Sequence, residues 1–298
     1  MQHSCNTSTL TLPYFTMKTA ALILTFFWSL SGFCQTQVAS SFTILDYWTG
    51  KLCPPGISHK SLIESGGELH GYQISPSDTR ALNGAQLVVG LNPSTEPWLA
   101  DWAKSNRREA DVIWLNPDPS RLHLHAWLNP ETAKEMVTQL SRQLSTRFKL
   151  KESDSQNLLR ELLKEIDGTA TSINKLFEPI PLSQRKIITH HPNLESFADY
   201  FKISVVATIV DSAVAESADP SVLHYSEILK AIKKERVRVV AYDEGQSSRI
   251  AVQLTKDGQL PPPIALSFEY LQPQGKEGDT WPTMMLLNAR KIADALQK

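Results

Sequence analysis

Residues Ser153–Phe177 read SDSQNLLRELLKEIDGTATSINKLF. Leu158, Leu159, Leu162, Leu163, Ile166, Ala170, Ile173, Leu176 and Phe177 recur at spacings of three and four, the apolar stripe of one helix. Ser153 with Gln156 reads as a capping box at its start, and Pro179 and Pro181 stop it. A helix over these residues is about 37 Å long at 1.5 Å per residue, far above the usual mean of about 11–12 residues. Gly168 inside it costs about 1 kcal/mol and marks the point where it would break.

On both sides of this segment lie short runs rich in Val and Ile, bounded by turn residues. They predict strands at Phe42–Leu45, Gln86–Gly90, Val112–Leu115, Lys186–Thr189, Ser204–Thr208, Val237–Tyr242 and Ile264–Phe268. Helical periodicity fills the gaps between them. Met136, Leu140 and Leu144 recur every four residues, and so do His224, Ile228 and Ile232. Strand–helix alternation argues an α/β fold with mostly parallel sheets. The reading is two α/β lobes, 40–150 and 181–298, joined by one long linking helix within 151–180, with a site in the cleft between them. A linker of this kind predicts a small lobe tilt rather than wide hinge opening.

Composition narrows the function. The chain has 298 residues, with 30 Lys and Arg against 31 Asp and Glu, a net charge of −1. That balance gives no basic stripe for nucleic acid. The stretch from Met17 (MKTAALILTFFWSLSGFCQTQVAS) places Lys18 before an apolar run from Ala20 to about Phe33. This is the pattern of a secretory signal, too short for a comfortable membrane span. Residues 1–39 are therefore read as an N-terminal extension and signal peptide. The mature protein is placed outside the cytoplasm, in a periplasm or tethered to a membrane face. Cleavage near Ala39 and a lipid anchor at Cys34 both remain open, although Phe33 is not the small residue that usually precedes a lipidated cysteine. Without Cys34 only Cys53 stays in the mature chain, which excludes a disulfide framework and makes a thiolate metal site a poor reading.

Four histidines sit in two tight groups, His123 with His125 and His190 with His191, and His70 lies in a turn-rich loop. Loops at strand ends are where α/β sheets bind ligands. Imidazole suits Zn, Cu, Ni and Fe. No HExxH or CxxC spacing is present, so spacing alone favours ordinary core or surface histidines over a metal site.

The segment His70-Gly-Tyr-Gln-Ile-Ser-Pro-Ser-Asp78 resembles the H-x-Y-x-x-x-P-S-D run of the zinc- and manganese-binding solute-binding proteins of ABC importers, the cluster A-I family. His125-Ala-Trp-Leu-Asn-Pro130 is similar to its D-P-H-x-W-L-D-P motif. His191-Pro-Asn-Leu-Glu-Ser-Phe-Ala-Asp-Tyr-Phe201 resembles its H-x-x-x-x-Y-F-A segment. Gly275-Lys-Glu-Gly-Asp279, followed by Trp281, Met284 and Met285, resembles its G-x-x-G-D-[ST]-[YW] segment. The order of the four is the family's, and so is a long helix joining two lobes.

The resemblance implies a metal site made of His70, His125, His191 and Glu269, the last standing where the family usually has Asp. It implies His70 and His125 from the first lobe, and His191 and Glu269 from the second. Other departures are His123-Leu124 before the second His, and Asn129 in place of Asp. The register to Phe197 and Ile203 selects His191 over His190, which is read as structural. Glu244 and Asp243 lie in a segment the family shares and are read as cleft lining or as unassigned to the site. Trp98, Trp127 and Trp281 are read as packing. The function implied is a monomeric, non-enzymatic receptor. It captures Zn²⁺, with Mn²⁺ as the alternative, and delivers it to a membrane ABC permease. Two rivals are an adhesin or scaffold without transport and a zinc hydrolase with Glu244 or Asp243 as base.

Overall fold

The computed structural model describes residues 37–116, 125–210 and 219–298. The signal-like stretch, Cys34 and His123 lie outside them. The long helix is continuous. It spans Glu152–Phe177, 26 residues, about 39 Å at 1.5 Å per residue. Leu162, Ile166, Ala170, Ile173 and Phe177 are buried along one face, and Leu158, Leu159, Leu163 and Leu176 pack partly buried beside them. Gly168 does not break it. A Cβ built there meets nothing within 4 Å, so this glycine faces open space. The capping box is absent. The helix begins one residue earlier, after Lys151, and Gln156 Nε2 donates to Glu152 Oε1 at 2.6 Å instead. Lys149, left-handed at φ 51°, turns the chain sharply into it, and Glu152 and Asp154 supply negative charge in its first turn.

Before this helix lie strands β1 (Val38–Phe42), β2 (His59–Ile63), β3 (Leu87–Gly90) and β4 (Val112–Trp114), with helices α1 (Thr43–Leu52), α2 (Pro76–Gly84), α3 (Pro97–Ser105) and α4 (Pro130–Phe148). The long helix is α5. After it come β5 (Lys186–Thr189), α6 (Glu195–Phe201), β6 (Ser204–Thr208), α7 (Val222–Glu235), β7 (Val239–Asp243), α8 (Arg249–Gly258), β8 (Ile264–Leu266) and α9 (Trp281–Leu296). The first four strands form one sheet in the order β2-β1-β3-β4, and the second four form another in the order β6-β5-β7-β8. Every pair is parallel. The two lobes thus share one topology, although the sequence has no repeat at a fixed period. In each, the chain leaves the first strand toward one edge and returns toward the other, which opens a ligand-binding crevice at the carboxyl ends of the strands.

Two strand readings change. Thr43–Leu45 belongs to α1, because Ile44, Leu45, Trp48, Thr49 and Leu52 are buried at helical spacing. The strand before it is Val-Ala-Ser-Ser-Phe, buried at every position. Its small polar residues concealed a central strand. The edge strand β2, HKSLI, exposes His59 and Lys60 and carries little apolar signal.

One core joins the lobes. Ile187, Val239 and Ala241 of the second sheet share it with α5 and α9, whereas Ile188 and Val240 face a separate cluster with Ile228, Ile232 and Leu254. The alternation is that of a strand buried on both faces. Helix α9 packs along α5, and its Trp281 stacks near Trp48 of α1 at 6.2 Å. Among the described residues no helix is long and apolar enough to cross a membrane.

Because Gly168 faces open space, Gly168→Ala is expected to stabilise the protein by about 0.5–1 kcal/mol in urea unfolding and to leave metal affinity unchanged. A loss of metal binding in that variant would mark Gly168 as a working hinge.

Candidate metal centre

Each of the four motif residues lies beyond the carboxyl end of a strand: His70 after β2, His125 after β4, His191 after β5 and Glu269 after β8. The motif neighbours explain their placement. Tyr72 donates its hydroxyl to Asp78 Oδ2 at 2.8 Å, and Ser75 and Asp78 close a capping box on α2 with Pro76 in its first turn. That lock fixes the loop carrying His70. Asn129 caps α4, where its side chain accepts from Glu131 N at 2.9 Å, so it does the capping work of the Asp it replaces. His125 is 1% exposed and lies edge-on to Trp127 at 5.0 Å.

The structure brings these four side chains together. His125 Nε2 lies 3.0 Å from Glu269 Oε1, His191 Nε2 lies 3.1 Å from the same oxygen, and His70 Nε2 lies 3.6 Å from it. His70 Nε2 and His125 Nε2 are 3.2 Å apart. All four donor atoms fall within 4.8 Å of one another. Zinc bonds of about 2.0–2.1 Å in tetrahedral geometry set donors about 3.3 Å apart, so the site has the dimensions of a single ion. His123 lies outside the described residues. Glu244 is not among the converging donors. Its side chain is 42% exposed and lies 4.0 Å from Lys291 Nζ. Glu244 and Asp243 help line a cavity of about 160 Å³ beside Glu269. Cys53 is not among the converging donors, and burial pushes its thiol up to about 12, helped by the charge of Asp46.

Glu269 leaves the second sheet, but the residues around it are tied to the first lobe. Trp127 Nε1 donates to Phe268 O at 2.9 Å, Leu271 N donates to Thr43 Oγ1 at 2.8 Å, and Ser65 Oγ donates to Leu271 O at 2.6 Å. Trp281 Nε1 in turn donates to Trp127 O at 3.0 Å. The sequence assigned the carboxylate to the second lobe, and these bonds fasten it to the first. His191 follows β5 of the second sheet.

Sequence reasoning also missed the partner of His191. Asp243 Oδ2 lies 2.7 Å from His191 Nδ1 and 3.2 Å from His190 Nδ1, and Asn193 Nδ2 donates to Asp243 Oδ1 at 2.6 Å. The signal was available in topology. Strand β7 pairs with β5 in parallel, so the residue ending β7 faces the loop ending β5.

The electrostatics follow from burial. Glu269 loses hydration, which would raise its carboxyl, but hydrogen bonds to His125, His191 and His70 hold it well below the carboxylate range. For Asp243, burial is likewise outweighed by His190 and His191, and its carboxyl is lowered. For His125, burial prevails over the Glu269 contact and lowers the imidazole. For His191, burial is overcome by Asp243 and Glu269, which push it up to about 10.

Two parallel sheets joined by one helix, with donors meeting at the strand ends, define the fold of metal-binding solute-binding proteins. The chain belongs to the family described as zinc-uptake complex component A, periplasmic, whose model matches residues 38–295. It is 23% identical over 281 residues to the manganese ABC transporter substrate-binding lipoprotein PsaA of Streptococcus pneumoniae, covering 89% of this chain and 90% of that one. Its fold matches a Mn-bound periplasmic metal binding protein from candidatus liberibacter asiaticus with a TM-score of 0.77 at 17% identity, over 88% of this chain and 99% of the other. It matches the periplasmic zinc binding protein TROA from Treponema pallidum with a TM-score of 0.78 at 15% identity, over the same shares. The family is one of transporter solute-binding components, not enzymes, which removes the hydrolase reading.

The raised His191 changes the expected pH dependence. Free imidazole titrates near 6.5, so on composition alone affinity falls only below about pH 6. In the metal-free site the raised imidazole keeps its proton at neutral pH. The stability this proton confers is complete below about 6.5 and is lost as pH rises toward 10. A metal competes for the same lone pair, so zinc affinity is expected to rise about tenfold per pH unit between roughly pH 7 and 9. About one proton should be released per ion, read by calorimetry in buffers of different ionisation enthalpy. A pH-independent affinity over that range would contradict this electrostatic picture.

Proposed function

We propose that the chain captures a transition-metal dication, Zn²⁺, between its lobes and delivers it to a membrane ABC permease from an extracytoplasmic position. His70, His125, His191 and Glu269 are the ligands. The observation that carries the reading is the approach of three imidazole Nε2 atoms to one carboxylate oxygen, at 3.0, 3.1 and 3.6 Å. Three neutral nitrogens and one charged oxygen form a borderline donor set that suits zinc better than the harder Mn²⁺. Manganese is the second reading, supported by the names of the streptococcal relative and the Liberibacter structure. The relative's name, a lipoprotein, supports export and a lipid anchor at Cys34. We take 40–150 and 181–298 as the lobes, 151–180 as the link, and the working form as a monomer.

The cargo must bind tightly and still leave. His70 and His125 belong to the first lobe, the Trp127, Thr43 and Ser65 hydrogen bonds tie the residues on either side of Glu269 to it, and His191 comes from the second. A small tilt of the second sheet withdraws His191 and leaves a three-ligand site open to solvent. No bending of α5 is required.

His191→Ala is expected to weaken zinc binding by about two orders of magnitude or more, and His190→Ala by less than about tenfold, in a competition titration against a chromophoric chelator. Equal losses would assign the ligand wrongly within the His190–His191 pair. The same titration with manganese tests the donor-set argument: Mn²⁺ that displaces Zn²⁺ at equal concentration would overturn it.

A further inference from the structure

The buried polar group behind His191 has no role in the four-ligand shell, yet it is fully connected. Asp243 receives His191 Nδ1 at 2.7 Å and His190 Nδ1 at 3.2 Å on one oxygen, and Asn193 Nδ2 at 2.6 Å on the other. The side chains of His191, His190 and Asp243 are 0%, 8% and 18% exposed. Their chain sources are distinct: the two histidines and Asn193 follow β5, and Asp243 ends β7.

A carboxylate only accepts. Both contacts therefore place N–H groups on His191 in the metal-free site, Nδ1 toward Asp243 at 2.7 Å and Nε2 toward Glu269 at 3.1 Å. An ion that takes the place of the Nε2 proton leaves the other on Nδ1, held by Asp243, with the Nε2 lone pair facing the ion. An imidazole that donates to an anion is also a stronger electron-pair donor to a metal. We propose that Asp243 is a positioning and selectivity residue of the metal site, which fixes the tautomer and aim of His191 and strengthens its nitrogen as a donor, while His190 and Asn193 hold the carboxylate in place. This rests on the ligand reading above.

His190, His191 and Asp243 also offer three donors within 4.8 Å of one another. A second ion there would have to strip His191 of its Nδ1 proton and Asp243 of three hydrogen bonds, so the outer-support role is the simpler chemistry. Glu269 beside the ion and Asp243 behind it together carry two negative charges, which match one dication in a largely buried site. A stronger nitrogen donor benefits zinc more than manganese, whose bonding is less covalent. Asp243 should therefore widen the preference for zinc.

The test is Asp243→Asn, which keeps the size and the Asn193 contact but removes the anion. Zinc and manganese affinities are measured by competition in the full chain, with thermal unfolding of the metal-free form and with His191→Ala as a control. We expect zinc binding to weaken by about 10–100-fold. Manganese should weaken less, so that the zinc-to-manganese affinity ratio falls, and the metal-free form should stay folded, with its unfolding temperature lowered only by the lost Asp243–His191 charge pairing. Unchanged zinc affinity in Asp243→Asn, with zinc lost in His191→Ala, would overturn the role of Asp243 and leave the ligand set intact. Zinc retained in His191→Ala would overturn the ligand set and this role with it. Equal weakening of both metals with a fallen unfolding temperature would reduce Asp243 to a structural residue and overturn the selectivity.

Discussion

Everything near the cleft is arranged around one carboxylate buried among three imidazoles. Desolvating an anion costs several kcal/mol even after relaxation, and Glu269 is sustained by His125, His191 and His70 around a single oxygen. His125 and His191 are themselves buried. Such a group is satisfied by a proton or by a cation. In the metal-free site the raised His191 supplies that proton, and under the function proposed above an ion of twice the charge takes its place. The fold supplies this cluster by taking one residue from each of four strand ends.

The mechanical organisation differs from the chemical one. By sequence the site divides two and two between lobes. By hydrogen bonding it divides three and one, because Trp127, Thr43 and Ser65 of the first lobe hold Phe268 and Leu271 on either side of Glu269. The shared core of α5 and α9 resists wide opening. A receptor built this way can release its ion by a short displacement of His191 and its support, which suits a linker that has no flexible strands.

Much of this was legible in the sequence, and the failures have physical reasons. The stripe from Leu158 to Phe177 gave the linking helix because helical period is a strong signal over many turns. Lys186–Thr189 was legible because a buried parallel strand is a β-branched apolar run, and Ser204–Thr208 because its Val pair marks a strand even at a half-buried edge. Strand β1 was displaced because Ser40 and Ser41 are buried polar residues in a central strand, which composition disguises. Strand β2 was missed because an edge strand can be polar. The candidate ligands came from motif resemblance, since nothing in their spacing forces a site across separate loops. Asp243 was visible only as an acid near the end of a strand. Its role depends on the pairing of β7 with β5, which no local pattern encodes. The ties to Phe268 and Leu271 involve backbone atoms and leave no sequence signature at all.

The central claim is that one ion is held by these four side chains. Zinc-edge X-ray absorption of protein loaded with one equivalent of zinc tests it most directly, with the same measurement on Glu269→Ala and His70→Ala. The account predicts four nitrogen and oxygen neighbours at about 2.0–2.1 Å, three of them showing the outer-shell scattering of imidazole. The His70 variant should lose one imidazole, and the Glu269 variant should keep all three. A shell with two or fewer imidazoles in the unaltered protein, or a spectrum that neither substitution changes, would contradict it.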